Sequence, residues 1–136
     1  MICGVDNSQT RIATAKFGLE SKIPVIFTAV SEDAGHGYVF VQEPGKACFA
    51  CMFPDEVLDF SEPCPNTPAV KDILKVVAGL ALYALDSLVM QRKRNWDVRM
   101  VFLSGDSPEW LGRVKRRLEC PLCHPPQGIQ LPLINP

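Results

Sequence analysis

Two pairs of cysteines with the same spacing constrain the fold of this 136-residue chain more than any other feature. Cys48 and Cys51 lie in "KACFACMFPD", and Cys120 and Cys123 lie in "LECPLCHPP". Four thiolates in two C-x-x-C pairs match the tetrahedral ligand shell of a structural zinc ion. The gap between the pairs exceeds that of an independent zinc finger, so we predict that Zn²⁺ joins two distant parts of one larger fold.

The cysteines also permit other interpretations. "CPLCH" matches the pattern of c-type haem attachment, which would leave Cys48 and Cys51 unexplained. A thioredoxin-like pair needs its first cysteine at a helix N-terminus, and Pro54 opposes a helix that passes through it. Disulfides would require an oxidising compartment. His124 is a possible substitute for one sulfur ligand, but we interpret it as a bystander.

Composition and charge restrict the class of protein. With 47% hydrophobic and 21% charged residues the chain is globular, and its net charge of −1 provides no basic field for nucleic acid. We expect the basic runs at 92–94 and 115–117 to be solvated. The N-terminus lacks a signal-peptide pattern, and the most apolar run, 76–85, is about half of a membrane span. We therefore predict a cytoplasmic protein without a nucleic-acid or membrane partner.

The N-terminal part of the chain has the pattern of strands and one helix. "MICGV" is typical of a buried parallel strand, in which Cys3 would be a small buried hydrophobe. A helix over about residues 9–19 would follow, capped by Asn7 or Ser8. Its inner face is predicted to hold Ile12, Ala13 and Phe17. The runs "IPVIFTAV", "GYVFVQEP" and "VRMVFLSG" are predicted to be strands.

The C-terminal part contains one long apolar helix. Between 69 and 90, apolar residues recur at helical spacing in a wide stripe, so we predict a largely buried helix. The stripe consists of Val70, Ile73, Leu74, Val77, Leu80, Ala81, Ala84, Leu85 and Leu88. "SPEWLGRVKRRLE" fits either a helix or a strand, and 125–136 is predicted to be an irregular tail. We therefore predict that residues 1–136 form a single α/β domain with a mixed sheet, a long buried helix and a four-cysteine zinc site.

Asp6 is the main candidate for a ligand-binding carboxylate. It follows the first predicted strand, and open α/β sheets bind ligands at the carboxyl ends of their strands. A carboxylate in that position can hold Mg²⁺. The residues are equally compatible with a structural role in which Asp6 or Asn7 caps the next helix. None of the nine glycines forms a phosphate-binding loop, so a phosphate cradle would have to lie elsewhere.

The motifs, in their order and spacing, resemble the C-terminal half of the ThiF/MoeB/HesA adenylyltransferases, which are relatives of the ubiquitin-activating enzymes. "DNSQTR" matches the D-N-x-x-x-R of that family, and Pro24 falls where the family has a proline. "GYVFVQEPGKACFACMFPD" resembles the strand that leads into the first zinc knuckle. "CPNTPAVKDILKVVAGLALYALDSL" resembles the cysteine loop and long helix, and "CPLC" the closing knuckle. The resemblance covers nearly the whole chain and implies half of a Rossmann-like, ubiquitin-activating-type fold.

The resemblance also implies a function. It implies ATP-dependent adenylation of the C-terminal carboxylate of a ubiquitin-like or sulfur-carrier protein, with Mg²⁺ as cofactor and a homodimeric assembly. Asp6 would be catalytic, and Asn7 and Arg11 would lie at the nucleotide, although a solvent-facing helical role is an alternative for Arg11. Cys64 resembles the cysteine that can form a covalent link to the carrier. Because the half with the glycine-rich nucleotide loop is missing, we expect this chain alone to be inactive in adenylation.

Two functions from other classes compete with the adenylyltransferase portion. One is a non-catalytic zinc-binding module that recruits a protein partner. The other is a nucleic-acid-binding zinc ribbon, which would bind polyphosphate chains in a salt-dependent way. The near-neutral charge of the chain argues against the zinc ribbon.

Overall fold

The computed structural model describes residues 1–57 and 71–124. Within these ranges the chain forms five strands, three α-helices and one 3₁₀ turn. In chain order these are β1 (Ile2–Cys3), α1 (Ser8–Ser21), β2 (Val25–Val30), β3 (His36–Gln42), α2 (Phe49–Met52), the 3₁₀ turn (Asp55–Val57), α3 (Lys71–Val89), β4 (Val98–Phe102) and β5 (Trp110–Gly112). The predicted tail 125–136 lies outside the described residues.

The five strands form one mixed sheet in the order β1-β2-β3-β4-β5. β1 pairs with β2 in parallel, and the other three pairings are antiparallel. Cys3 lies opposite Phe27, which lies opposite Phe40, and this row is buried against α1 and α2. α3 packs on the opposite face through a second apolar cluster. The predictions of a mixed α/β fold, of a parallel N-terminal strand and of a buried Cys3 are confirmed.

The N-terminal helix begins and ends at well-defined caps. The Asn7 Oδ1 accepts a hydrogen bond from the backbone N–H of Thr10 at 2.8 Å, which satisfies one of the free donors of the first turn. Lys22 ends the helix in the left-handed conformation with φ of 55°. The helix is therefore slightly longer than the predicted 9–19.

The inner face of α1 was predicted only in part. Ile12 is buried as expected, but Ala13 is exposed and Phe17 is 52% exposed. The buried positions are instead the small residues Ala15 and Gly18. A Cβ on Gly18 would lie 2.4 Å from Val25 Cγ2, so this helix approaches the sheet too closely for larger side chains. The prediction of Ala13 and Phe17 as buried was wrong because it followed hydrophobicity, whereas the close approach of α1 to the sheet requires small residues at the contact.

The long helix α3 exists as predicted, but its buried face is narrower. The buried positions follow one helical face and are Ile73, Val77, Ala81, Ala84 and Ser87. Leu74 is 44% exposed and Leu82 is 57% exposed, so the expectation of burial holds only for the side that faces the sheet. Val70 lies outside the described residues. No helix in the described ranges is both long enough and apolar enough to cross a membrane.

The part of the chain after α3 resolves one open alternative and corrects one expectation. The ambiguous "SPEWLGRVKRRLE" contains the short strand β5 and no helix. Arg94, expected to be solvated, is buried with 4% of its side chain exposed. It donates to the Trp96 carbonyl at 2.6 Å, to Ser87 Oγ at 3.1 Å and to Glu43 Oε1 at 2.6 Å. A buried guanidinium needs hydrogen-bond partners of this kind. The burial of Arg94 was not predicted because the basic run 92–94 has the sequence pattern of a charged surface.

Candidate metal centre and the Asp6 turn

The structure brings the four paired cysteines together. Cys48 Sγ lies 3.8 Å from Cys51 Sγ and 3.4 Å from Cys120 Sγ, and Cys51 Sγ lies 3.5 Å from Cys123 Sγ. All four sulfur atoms lie within 4.8 Å of one another, and all four residues are free thiols. The predicted convergence of the two C-x-x-C pairs is confirmed, and the disulfide interpretation is wrong.

The sulfur positions fit a tetrahedral metal centre. Sulfur atoms about 2.3 Å from a central Zn²⁺ are about 3.8 Å apart along each edge of a regular tetrahedron. The measured edges of 3.4, 3.5 and 3.8 Å are close to this value. Thiolate donors also suit zinc better than the hard cations, which take oxygen ligands. Cys48, Cys51, Cys120 and Cys123 could therefore hold one such ion.

The first knuckle, formed by Cys48 and Cys51, is fixed to the sheet through Gln42, the last residue of β3. Cys48 is the N-cap of α2 but makes no side-chain cap hydrogen bond. The buried Gln42 Oε1 instead accepts from the Phe49 N–H at 2.9 Å, and its Nε2 donates to the Ala15 carbonyl at 2.9 Å. One amide thus joins β3, α1 and α2. The chain does make a helix here, and this one-turn helix ends at its C-cap Phe53, before Pro54.

The second knuckle supplies backbone donors to sulfur. Burial acts to raise the pKa of the Cys120 thiol, but hydrogen bonds from the N–H groups of Cys123 and Leu122 and from the neighbouring thiols outweigh it, so the pKa lies below its ordinary value. The Arg117 N–H donates to Cys51 Sγ at 3.4 Å. Such N–H···S hydrogen bonds stabilise the thiolate, which is the form that binds metal. His124 is exposed beside the centre, with Nδ1 3.5 Å from Cys123 Sγ.

The first cysteine pair does not have the properties of a redox pair. Cys48 is completely buried, and this burial raises the pKa of its thiol, as does the hydrogen bond that it shares with Cys120. In the second pair, burial and hydrogen bonding raise the pKa of the Cys123 thiol to about 11. A redox-active cysteine needs solvent access and a lowered pKa. Although Cys48 is at a helix N-terminus, it meets neither requirement.

Asp6 is exposed in the turn between β1 and α1, beyond the carboxyl end of a parallel strand. The position matches the sequence prediction. The cap function, which the sequence left open between Asp6 and its neighbours, belongs to Asn7. Asp6 and Asn7 therefore lie immediately before the first turn of α1, where free backbone N–H groups and the helix dipole favour negatively charged ligands.

The Arg11 side chain stabilises the Asp6 turn through hydrogen bonds to the backbone before it and to Glu56. Its Nε donates to the Val5 carbonyl at 3.0 Å, and its Nη1 lies 3.3 Å from Glu56 Oε2. Only 12% of the Arg11 side chain is exposed, so a solvent-facing role is wrong. Ser8 Oγ also donates to Glu56 Oε2, at 3.4 Å. Arg11 and Glu56 thus fix the backbone directly before Asp6.

Sequence reasoning missed two residues that shape these sites. Gln42 follows the apolar run 38–41, and Glu56 lies in a polar stretch after the first cysteine pair. Neither has a motif, because their partners are backbone groups or a residue 45 positions away. A lone amide in an otherwise apolar strand was the one available signal for Gln42. Cys64, the proposed reactive thiol, lies outside the described residues.

Comparison with known proteins assigns the fold to a family. The family model described as "ThiF family" matches residues 1–123. The structure of E. coli MccB with succinimide has a TM-score of 0.65 at 17% identity, over 90% of this chain and 38% of that chain. A heterocyclase structure has a TM-score of 0.54 at 12% identity, over 91% of this chain and 20% of that chain.

The match to the family model shows the family of this chain, whereas the solved structures show only its fold. None of the curated proteins matches the chain. At these identities the solved structures show a shared fold, and the chain spans less than two fifths of the length of the MccB chain in its complex with succinimide. The family model, by contrast, covers most of the sequence, including both cysteine pairs and the Asp6 turn. The chain belongs to the ThiF family.

Proposed function

We propose that this chain is the C-terminal portion of an ATP-dependent adenylyltransferase that activates the C-terminal carboxylate of a ubiquitin-like or sulfur-carrier protein. The observation that carries the proposal is the ThiF family match across residues 1–123, which includes both the cysteine centre and the Asp6 turn. The MccB chain in its complex with succinimide continues well beyond the region matched here, which covers 38% of that chain. The portion alone therefore does not catalyse adenylation.

The proposed nucleotide site is built on the Asp6 turn. Asp6 would hold Mg²⁺, whose charge would offset that of the phosphates when the carrier's carboxylate attacks the α-phosphate of ATP and pyrophosphate leaves. Asn7 and Arg11 belong to the same site, Asn7 beside Asp6 and Arg11 through its hold on the Val5 carbonyl. The exposure of Asp6 at the end of a parallel strand supports this assignment.

The partner is proposed to be a polypeptide with a free C-terminal carboxylate. Among the similar structures, MccB is described in complex with N-formylated MccA and, separately, with ATP. Cys64 is proposed to receive the activated acyl group: its thiolate would attack the acyl-adenylate and release AMP, which leaves a thioester. The cysteine centre is proposed to bind structural Zn²⁺, and the parent enzyme to be a cytoplasmic homodimer.

The adenylation proposal is tested by ATP–pyrophosphate exchange. The chain alone should show no exchange, and a nucleotide-binding half with a G-x-G-x-x-G motif, encoded upstream, should restore it in the presence of the carrier. Asp6→Asn should then abolish exchange, whereas Asp86→Asn on the exposed side of α3 should not. Exchange by the chain alone would contradict the portion claim, and an active Asp6→Asn variant would contradict the assigned site.

The zinc assignment is tested separately. Elemental analysis should give one zinc ion per chain, and a strong chelator should lower the melting temperature because metal binding is coupled to folding. Cys120→Ser should abolish stoichiometric zinc, while Cys3→Ser should retain it, since Cys3 packs in the apolar core. A metal-free chain with an unchanged melting temperature would refute the assignment.

A further inference from the structure

The cysteine centre and the Asp6 turn are built on the same helix. Ile12 of α1 packs in the buried cluster that contains Cys48, Cys51 and Cys120. From Ser8, the first helical residue after the Asp6 turn, to Ile12 the helix rises about 6 Å, so α1 contacts the cysteine cluster little more than one helical turn beyond the Asp6 turn. A change in the conformational order of the cysteine centre can therefore affect the Asp6 turn through less than two turns of α1.

A second connection runs through Glu56. This residue lies in the 3₁₀ turn that follows the first knuckle, only five positions after Cys51. Its carboxylate receives the Arg11 guanidinium and the Ser8 hydroxyl, both from the first turns of α1. The same guanidinium donates to the carbonyl of Val5, next to Asp6. Glu56 thus joins the segment after the first knuckle to the backbone that carries Asp6.

The surroundings make this ion pair stronger than an ordinary surface pair. The side chains are 12% and 29% exposed for Arg11 and Glu56. The Tyr38 hydroxyl lies nearby, is buried and has no hydrogen-bond partner among the described residues. Exposed pairs contribute little because water screens them, whereas removal of one partner of a largely desolvated pair leaves an uncompensated charge.

We propose that Glu56 is a positioning residue that couples the cysteine metal centre to the Asp6 turn. Metal binding fixes α2 and the following turn, Glu56 holds Arg11, and Arg11 holds the Val5 carbonyl so that Asp6 keeps one orientation. The inference rests on the proposed function only in assigning a ligand to Asp6. The metal centre then organises the ligand site, in addition to closing the fold.

The coupling is tested in the zinc-loaded chain by hydrogen exchange followed by mass spectrometry. Glu56→Gln should speed amide exchange over residues 4–11 by about tenfold, the effect of losing a hydrogen bond to a charged group. Exchange over α3 should be unchanged. Glu109→Gln, which breaks a 3.0 Å ion pair with Arg99 on β4, is the matched control and should leave 4–11 unchanged.

A second measurement uses the reciprocity of coupled sites. If the metal orders the Asp6 turn through Glu56, loss of Glu56 must weaken metal binding. Competition with a chromophoric chelator should therefore show a lower zinc affinity for Glu56→Gln than for the wild type or Glu109→Gln. Unchanged exchange over 4–11, equal acceleration across α3, or an unchanged zinc affinity would each overturn the inference. No nucleotide is present in either measurement, so failure here is distinct from failure of adenylation in the reconstituted enzyme.

Discussion

Replacement of Gln42 by methionine should weaken both the fold and the metal centre. The Gln42 side chain is 1% exposed and makes two hydrogen bonds of 2.9 Å, to the Phe49 N–H and the Ala15 carbonyl. Methionine has a similar volume, so a cavity contributes little to the effect. The Phe49 N–H would be buried without its acceptor, at a cost of about 1–3 kcal/mol. The Ala15 carbonyl loses less, because a helix also provides a backbone donor for it.

The expected loss is therefore about 2–4 kcal/mol in the free energy of unfolding. Urea denaturation at a fixed zinc concentration measures it, and chelator competition should show a weaker centre because the start of α2 is no longer held. Gln9→Met, at an exposed position of α1, is the control. A Gln42→Met variant within about 0.5 kcal/mol of the wild type would refute the reasoning, since that is the range of surface substitutions.

Four further substitutions test the scaffold. Arg94→Met should lower the free energy of unfolding by about 3 kcal/mol in urea denaturation, because it leaves the carboxylate of Glu43 without its buried partner. Partial burial acts to raise the pKa of Glu43, but hydrogen bonds from Lys46 and Arg94 outweigh it and hold the pKa below its ordinary value. The contribution of Glu43 to stability is thus present above the ordinary pKa of a glutamate and is lost as the pH falls through the lowered pKa, and Glu43→Gln should flatten the acid side of a melting profile. Gly37→Ala should destabilise by about 1–3 kcal/mol, as its Cβ would lie 2.7 Å from backbone and side-chain atoms, whereas Gly79→Ala in open space on α3 should stabilise by about 1 kcal/mol. Thermal melts that rank the two alanine variants in the opposite order would contradict this account.

Patterns that repeat along the chain predicted the larger features. The four cysteines were predicted to converge because paired C-x-x-C spacing has few uses besides a metal centre. β1 was predicted from a short apolar run, β2, β3 and β4 from runs of β-branched and aromatic residues, and α3 from its apolar period, whereas β5 was left open between strand and helix. The position of Asp6 followed from the strand before it. Each of these signals is local, or consists of a motif that occurs twice.

The features that sequence reasoning missed depend on distances across the fold. Phe17 was expected inside because it is apolar, but α1 lies so close to β2 that Gly18 occupies the contact. Arg94 was expected in solvent because it ends a basic run, but Glu43 reaches it from the end of β3. Gln42 and Glu56 position the two sites through hydrogen bonds to backbone groups or to residues far away in the sequence, which no motif spacing predicts. Tertiary packing therefore overrode composition at each of these positions.

The four thiols are unequal in their access to solvent. Cys48 and Cys120 are fully covered and Cys51 nearly so, while Cys123 is only half-buried next to the exposed His124. A competing chelator or an oxidant therefore meets Cys123 before the other three. Exchange of a bound ion would start with the detachment of that single sulfur, and the rate at which the 120–124 turn opens would set how long the ion stays.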